Sequence, residues 1–160
     1  MVHTVGVADM VVSKSRDDCI ITHALGSCLG ITVHDPVAQV GGLLHVMLPL
    51  STIDPAKAAE NPYMFVDTGV PRLFLECYKL GAQKSRVVLK VAGGASSKAN
   101  PEDDYFEIGK RNFVMLRKLL WKNGVLIKAH DVGGSNSRTM QLDLNSGDVS
   151  LKINGTTAVI

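Results

Sequence analysis

The sequence predicts an α+β fold, a mostly antiparallel, sandwich-like β-sheet system with two long helices packed against it. Three observations predict it. Short β-branched and apolar segments recur along most of the chain and read as strands. Only two stretches, near residues 68–80 and 104–123, place apolar residues at helical spacing. Tight turns join successive strands, which implies antiparallel pairing.

The elements follow in order. Val5 to Val12 reads as an opening strand. Cys19-Ile20-Ile21-Thr22 is a second, and the small residues Leu25-Gly26-Ser27 interrupt the chain sharply after it. Leu29 to His34 resumes as a strand. Asp35-Pro36-Val37-Ala38 is a turn with Pro36 pre-set for its second position. Val40 to Leu48 is a further strand, ended by Pro49, and the polar stretch from Ser51 to Pro62 reads as a surface loop. A helix is expected from about Thr68 to Leu80. Val70, Leu73, Phe74 and Cys77 form its apolar face, Pro71 is tolerated in its first turn, and Gly81 supplies its stop. Arg86 to Ala92 is a strand broken by Gly93-Gly94. The second helix is expected from about Asp104 to Asn123, with Ile108, Phe113, Leu116, Leu119 and Leu120 on its apolar face and Gly124 closing it. Val125 to Asp131 and Arg138 to Leu144 are strands, and Asn145-Ser146-Gly147-Asp148 turns into Val149-Ser150-Leu151-Lys152.

A chain of 160 residues is expected to form a single domain over residues 1–160 and is long enough to bury a core without a metal or disulfide staple. With 46% hydrophobic and 20% charged residues, it is neither a disordered tail nor a coiled coil. Seventeen basic and fifteen acidic residues leave a net charge of +2. No concentrated basic cluster appears in the sequence, and aromatic residues are scarce, so no nucleic-acid partner is expected. No apolar run is long enough to insert in a membrane, and no secretory signal is visible. Cys19, Cys28 and Cys77 are odd in number and widely spaced, which argues for a reducing compartment and a cytoplasmic protein.

One constellation can carry chemistry. Cys28 follows Leu25-Gly26-Ser27, where small residues leave room around a thiol, and His45 lies 17 positions later. A hairpin closed at Asp35-Pro36-Val37-Ala38 pairs residues whose numbers sum to 73, which sets Cys28 opposite His45 on one sheet face. Directly opposed Cβ atoms lie about 4.5–5.5 Å apart. A bulge at Gly41-Gly42 would change that register. Such a pair supports acyl transfer. The imidazole takes the thiol proton, a thiolate–imidazolium pair forms, and the thiolate attacks a carbonyl carbon. A third group must orient the ring, and Thr22, on the preceding strand, is a polar candidate. Gly26 and Ser27 are candidates for contacting the substrate. Cys77 and Cys19 read as packing residues. His3, His23, His34 and His130 read as core or rim histidines. No metal is expected, because a site on Cys28 and His45 lacks further ligands, with His34 well down the strand. The Gly93-Gly94 and Gly133-Gly134 runs open neither a phosphate loop nor a dinucleotide fingerprint, and read as tight turns at the sheet rim or as places where a substrate backbone approaches.

The run Thr22-x-x-Leu25-Gly26-Ser27-Cys28, then Asp35-Pro36, then His45-Val46-Met47-Leu48-Pro49, resembles the CheD family of chemoreceptor glutamine deamidases. The likeness continues through Ala92-Gly93-Gly94-Ala95, Ile108-Gly109-x-Arg111-Asn112 and Gly133-Gly134-x-x-x-Arg138. The resemblance implies a Cys–His–Thr catalytic set at Cys28, His45 and Thr22, working without a cofactor. It implies hydrolysis of glutamine side-chain amides in methyl-accepting chemotaxis receptors, and an α/β sandwich related to deamidating toxins. It also implies the phosphatase CheC as a partner. The alternative reading is a non-catalytic regulator that binds receptors and CheC.

Overall fold

The computed structural model describes residues 1–96, 104 and 106–160. Among these, ten strands form two five-stranded sheets. The strands are β1 (Val2–Val5), β2 (Asp9–Ser13), β3 (Cys19–Leu25), β4 (Leu29–Asp35), β5 (Val40–Val46), β6 (Val88–Gly93), β7 (Ile127–Val132), β8 (Arg138–Asp143), β9 (Val149–Ile153) and β10 (Thr156–Val159). The first sheet runs β1-β3-β8-β9-β10 and the second β2-β5-β4-β6-β7. Pairing is antiparallel except for β1 with β3 and β6 with β7, which are parallel. The α+β, sandwich-like class holds, and both sheets are mixed.

Two helices cover the outer face of the second sheet. They are α2 (Val66–Lys79) and α3 (Ile108–Lys122), and a short α1 (Pro55–Glu60) precedes them. Alternation along β4 divides its side chains. Leu29, Ile31 and Val33 join Leu73, Phe74 and Leu116 in the core beneath the helices. The opposite face of β4 meets the first sheet, where Leu25, Leu43, Met140 and Leu142 fill a second core between the sheets. Because β4 and β5 are buried on both faces, they read as nearly continuous apolar runs.

Several expectations change. The opening strand is two, β1 and β2, one in each sheet, separated at Gly6–Ala8, where Ala8 adopts a left-handed conformation with φ 56°. The expected 51–62 loop contains α1, because the Asp54 carboxylate accepts from Lys57 N–H at 3.1 Å and Pro55 supplies a ready first turn. The second long helix begins at Ile108 rather than Asp104, behind a left-handed Glu107, and Tyr105 lies outside the described residues. β10 is a further strand beyond those the sequence predicts.

The turn between β4 and β5 also differs, and this matters for the site. Asp35 pairs with Val40, so the loop holds four residues rather than two and paired numbers sum to 75. The cause is the Asp35 side chain. Its Oδ1 accepts from Val37 N–H at 2.9 Å and Ala38 N–H at 3.0 Å, while Gln39 N–H reaches the Asp35 carbonyl at 2.9 Å with φ 58° at Gln39. The register continues unbroken through Gly41 and Gly42.

Candidate active site

β3 belongs to the first sheet and β4 to the second, so the Gly26–Cys28 link between them crosses from one sheet to the other. Cys28 is half-buried at this crossing and packs against the inter-sheet core. Thr22 on β3 and His45 on β5 are fully buried and face each other across the gap between sheets.

The residue opposite His45 is Gly30, not Cys28, because of the longer turn. The shift is two residues, and Cys28, one residue before β4 begins, packs against the inter-sheet core that His45 also faces. Gly30 carries no side chain between them. A Cβ there would meet Met140 Sδ at 2.7 Å and Leu25 Cδ1 at 2.9 Å.

Thr22 and His45 are joined by a hydrogen bond of 2.7 Å between Oγ1 and Nδ1. The direction of that bond follows from a second one. Thr22 Oγ1 donates to the Val5 carbonyl at 2.8 Å. A hydroxyl has one proton, so it must accept from the ring. Nδ1 therefore carries the hydrogen, and Nε2 is left as a bare lone pair. Nε2 is buried without a hydrogen-bond partner among the described residues. Burial pulls His45 down to about 4. Burial pushes the Cys28 thiol up, against a smaller lowering by its own backbone N–H. Burial thus disfavours the charged form of both groups.

The Gly26–Cys28 link is held on three sides. The Gly26 carbonyl accepts from Ala95 N–H and the Cys28 carbonyl from Gly94 N–H, both at 2.8 Å. Asn112, fully buried on α3, donates from Nδ2 to the Ser27 carbonyl and to the Met47 carbonyl, each at 3.0 Å. It thereby ties the Cys28 link to the segment just after His45. Gly93, at φ 115°, lies so close to the Cys28 carbonyl that a Cβ would collide with it. The two glycine runs are bonded to each other, Gly133 N–H to Gly93 at 3.0 Å and Ser96 N–H to Gly134 at 2.8 Å. Buried Arg138 spans them, donating to the Gly133 carbonyl at 2.8 Å and pairing with Asp131 at 3.0 Å. These runs serve the protein's own backbone contacts at the rim.

Asn112 and Arg138 carried no assigned role in the sequence reading. Asn112 has a signal, since it is polar yet lies one turn from both Ile108 and Leu116 on the apolar face of α3. The remaining candidates separate from the site. Cys77 is buried on the inner face of α2, and burial pushes it up to about 12. Cys19 sits at the start of β3, away from the crossing. His34 bonds through Nε2 to the Leu144 carbonyl at 3.1 Å, and His3 bonds to Asp18 at 2.8 Å.

Residues 47–153 match the CheD family, described as CheD chemotactic sensory transduction. A protein of Solibacter usitatus named probable chemoreceptor glutamine deamidase CheD is 50% identical over 151 residues, covering 94% of this chain and 88% of that one. A Syntrophus aciditrophicus protein named probable chemoreceptor glutamine deamidase CheD 1 is 47% identical, covering 94% and 93%. The crystal structure of a Neisseria meningitidis protein superposes with a TM-score of 0.49 at 9% identity, over 84% of this chain and 62% of that one.

Proposed function

Since the chain belongs to the CheD family, we propose that it hydrolyses the side-chain amide of glutamines in chemoreceptors, giving glutamate and ammonia, the activity its relatives' names carry. Cys28 is the nucleophile, His45 the base and then the acid, and Thr22 the group that orients His45. The observation that carries this reading is the Val5–Thr22–His45 chain of hydrogen bonds, which leaves Nε2 as a free buried base on the face Cys28 shares.

As a glutamine carboxamide enters, His45 Nε2 takes the Cys28 proton while Sγ bonds to the amide carbon. The carbonyl electrons move to oxygen, and the Cys28 backbone N–H is a candidate donor to that oxyanion. Collapse breaks the C–N bond, and the nitrogen leaves as ammonia with the proton from Nε2. Water then attacks the thioester, Nε2 takes its proton, and the thiol departs reprotonated. Burial favours the neutral form of both groups, so the proton passes from Sγ to Nε2 as Sγ bonds to the amide carbon. Gly26 and Ser27 line the approach to Sγ and contact the substrate. The CheC phosphatase is the proposed regulatory partner, on the family resemblance.

The test is a receptor fragment incubated with the wild type and with Cys28→Ala, reading ammonia and the glutamine-to-glutamate mass change. The variant abolishes both while binding is retained. Unchanged ammonia release from Cys28→Ala would remove the nucleophile assignment. His45→Ala is expected to be about as damaging, because either member of such a unit stops the cycle.

A further inference from the structure

Against the expectation that no basic cluster appears, the net charge of +2 is unevenly distributed along the chain. From Ile108 to Lys128 the chain has six cationic side chains, Lys110, Arg111, Arg117, Lys118, Lys122 and Lys128, and no acidic one. All six are exposed. The nearest acids lie at the ends of this stretch, Asp104 and Glu107 before it and Asp131 after it, and Asp131 is paired with Arg138.

Apolar side chains stand among these cations. Lys110, Val114, Arg117 and Trp121 succeed one another at spacings of four, three and four, so they form one stripe along the outer face of α3. Trp121 is 86% exposed, Leu126 in the following loop 87% and Val114 42%. Trp121, Leu126 and Ile127 line a shallow groove at the end of the helix. An exposed tryptophan beside an exposed leucine, rimmed by charge, is the pattern of an interaction surface rather than of ordinary exterior.

The N-terminal end of α3 abuts the candidate site, where Gly109 packs against the backbone of Gly94 and Ala95, the pair that bonds the Cys28 and Gly26 carbonyls. Asn112, on the inner side of α3, bonds the carbonyl of Ser27, next to Cys28. An α-helix rises about 1.5 Å per residue, so Trp121 stands about 14 Å beyond Asn112 along the axis.

We propose that the outer face of α3, with Leu126, docks an acidic amphipathic helix of the protein substrate and so delivers its target glutamine to Cys28. This rests on the deamidase reading. The repeat of Val114 and Trp121 matches an apolar seam on a facing helix, and the flanking cations match carboxylates on both sides of that seam. A partner with cationic flanks is rejected by the same charges.

The test is steady-state deamidation of a chemoreceptor cytoplasmic fragment by the wild type, by Trp121→Ala and by a triple variant, Arg117→Glu, Lys118→Glu and Lys122→Glu. Circular dichroism and the rate of Cys28 alkylation at fixed pH check that fold and link are intact. KM is expected to rise about tenfold in each variant with kcat retained. Wild-type KM should rise with ionic strength, and this dependence should vanish or reverse in the triple variant. Unchanged KM and salt dependence, in an assay where the wild type turns over, overturn the docking face. A wild type that releases no ammonia removes the deamidase reading instead. Direct binding of the fragment, kept or lost in the triple variant, then still decides the face. Anionic phospholipid vesicles or duplex DNA bound through these residues, with fragment binding unmoved, assign the face elsewhere and also overturn the proposal.

Discussion

Thr22 has one proton and His45 has two nitrogens, and the Val5 carbonyl decides how they are shared. Replacing Thr22 by Val removes the acceptor for Nδ1–H, so the ring loses both its anchor and its preference for a bare Nε2. Ammonia release by Thr22→Val should fall about a hundredfold in kcat with KM little changed, while Thr22→Ser should keep most activity. A Val variant as active as Thr22→Ser would leave Thr22 as packing alone. The thiol side of the pair is testable by its titration. Because burial raises Cys28 and lowers His45, thiolate appears only at high pH in the free protein. The iodoacetamide alkylation rate of Cys28 should climb through and beyond the ordinary thiol range. A plateau already reached near neutrality would mean a preformed ion pair.

The link between β3 and β4 is held by elements that contribute nothing to the chemistry, and it should fail when they do. Asn112→Leu leaves the part-buried carbonyls of Ser27 and Met47 without this donor, at about 1 kcal/mol for each lost hydrogen bond. The expected outcome is a lower urea midpoint together with a fall in kcat. Gly93→Ala forces a Cβ into the Cys28 carbonyl at a left-handed φ and should abolish turnover. Gly133→Ala, also at positive φ but with nothing within 4 Å of its added carbon, should cost only about 1 kcal/mol of backbone strain and keep activity. Equal loss from both glycine variants would show that the Cys28 contact is not what matters at residue 93. What was legible in the sequence divides along the same line. Alternation and turn residues are local, so β4, β5 and the turn between them could be read. The loop length could not, because it depends on Asp35 folding its carboxylate back on Val37 and Ala38 and out to Arg86. The error set Cys28 opposite His45, where the longer loop puts Gly30 instead, two residues further along the chain. Thr22 carried almost no signal of its own, since its partners lie 17 and 23 residues away on other strands.

Assignment of strands to two sheets is a property of the whole chain, and it is where local reading stops. β3 and β4 are consecutive yet belong to different sheets, and β1 and β2 divide what one apolar stretch suggested was a single strand. That division is also what buries the candidate site, because Thr22 and His45 meet only when the first sheet closes on the second. Closing the sheets has a cost that depends on pH. His45 in the unfolded chain takes up a proton near its ordinary value of 6.5, whereas in the fold it resists protonation down to about 4. The unfolded state therefore binds more protons across that interval, so stability is fully present above 6.5 and is lost as pH falls toward 4. At about 1.4 kcal/mol per unit the full interval is worth about 3 kcal/mol. Asp35 behaves in the same sense at lower pH. Burial opposes its charge, but Arg86 and the N–H groups of Ala38, Gln83 and Val37 outweigh it and hold the carboxyl at about 2, so its contribution is lost only below about 3.8. Urea midpoints should thus fall first between pH 6.5 and 4 and again at stronger acid. His45→Gln, uncharged at every pH, should flatten the first fall and leave the second. If the wild type and His45→Gln lose stability in parallel across that first interval, His45 is not the group that senses acid, and the closed sheets do not hold it neutral.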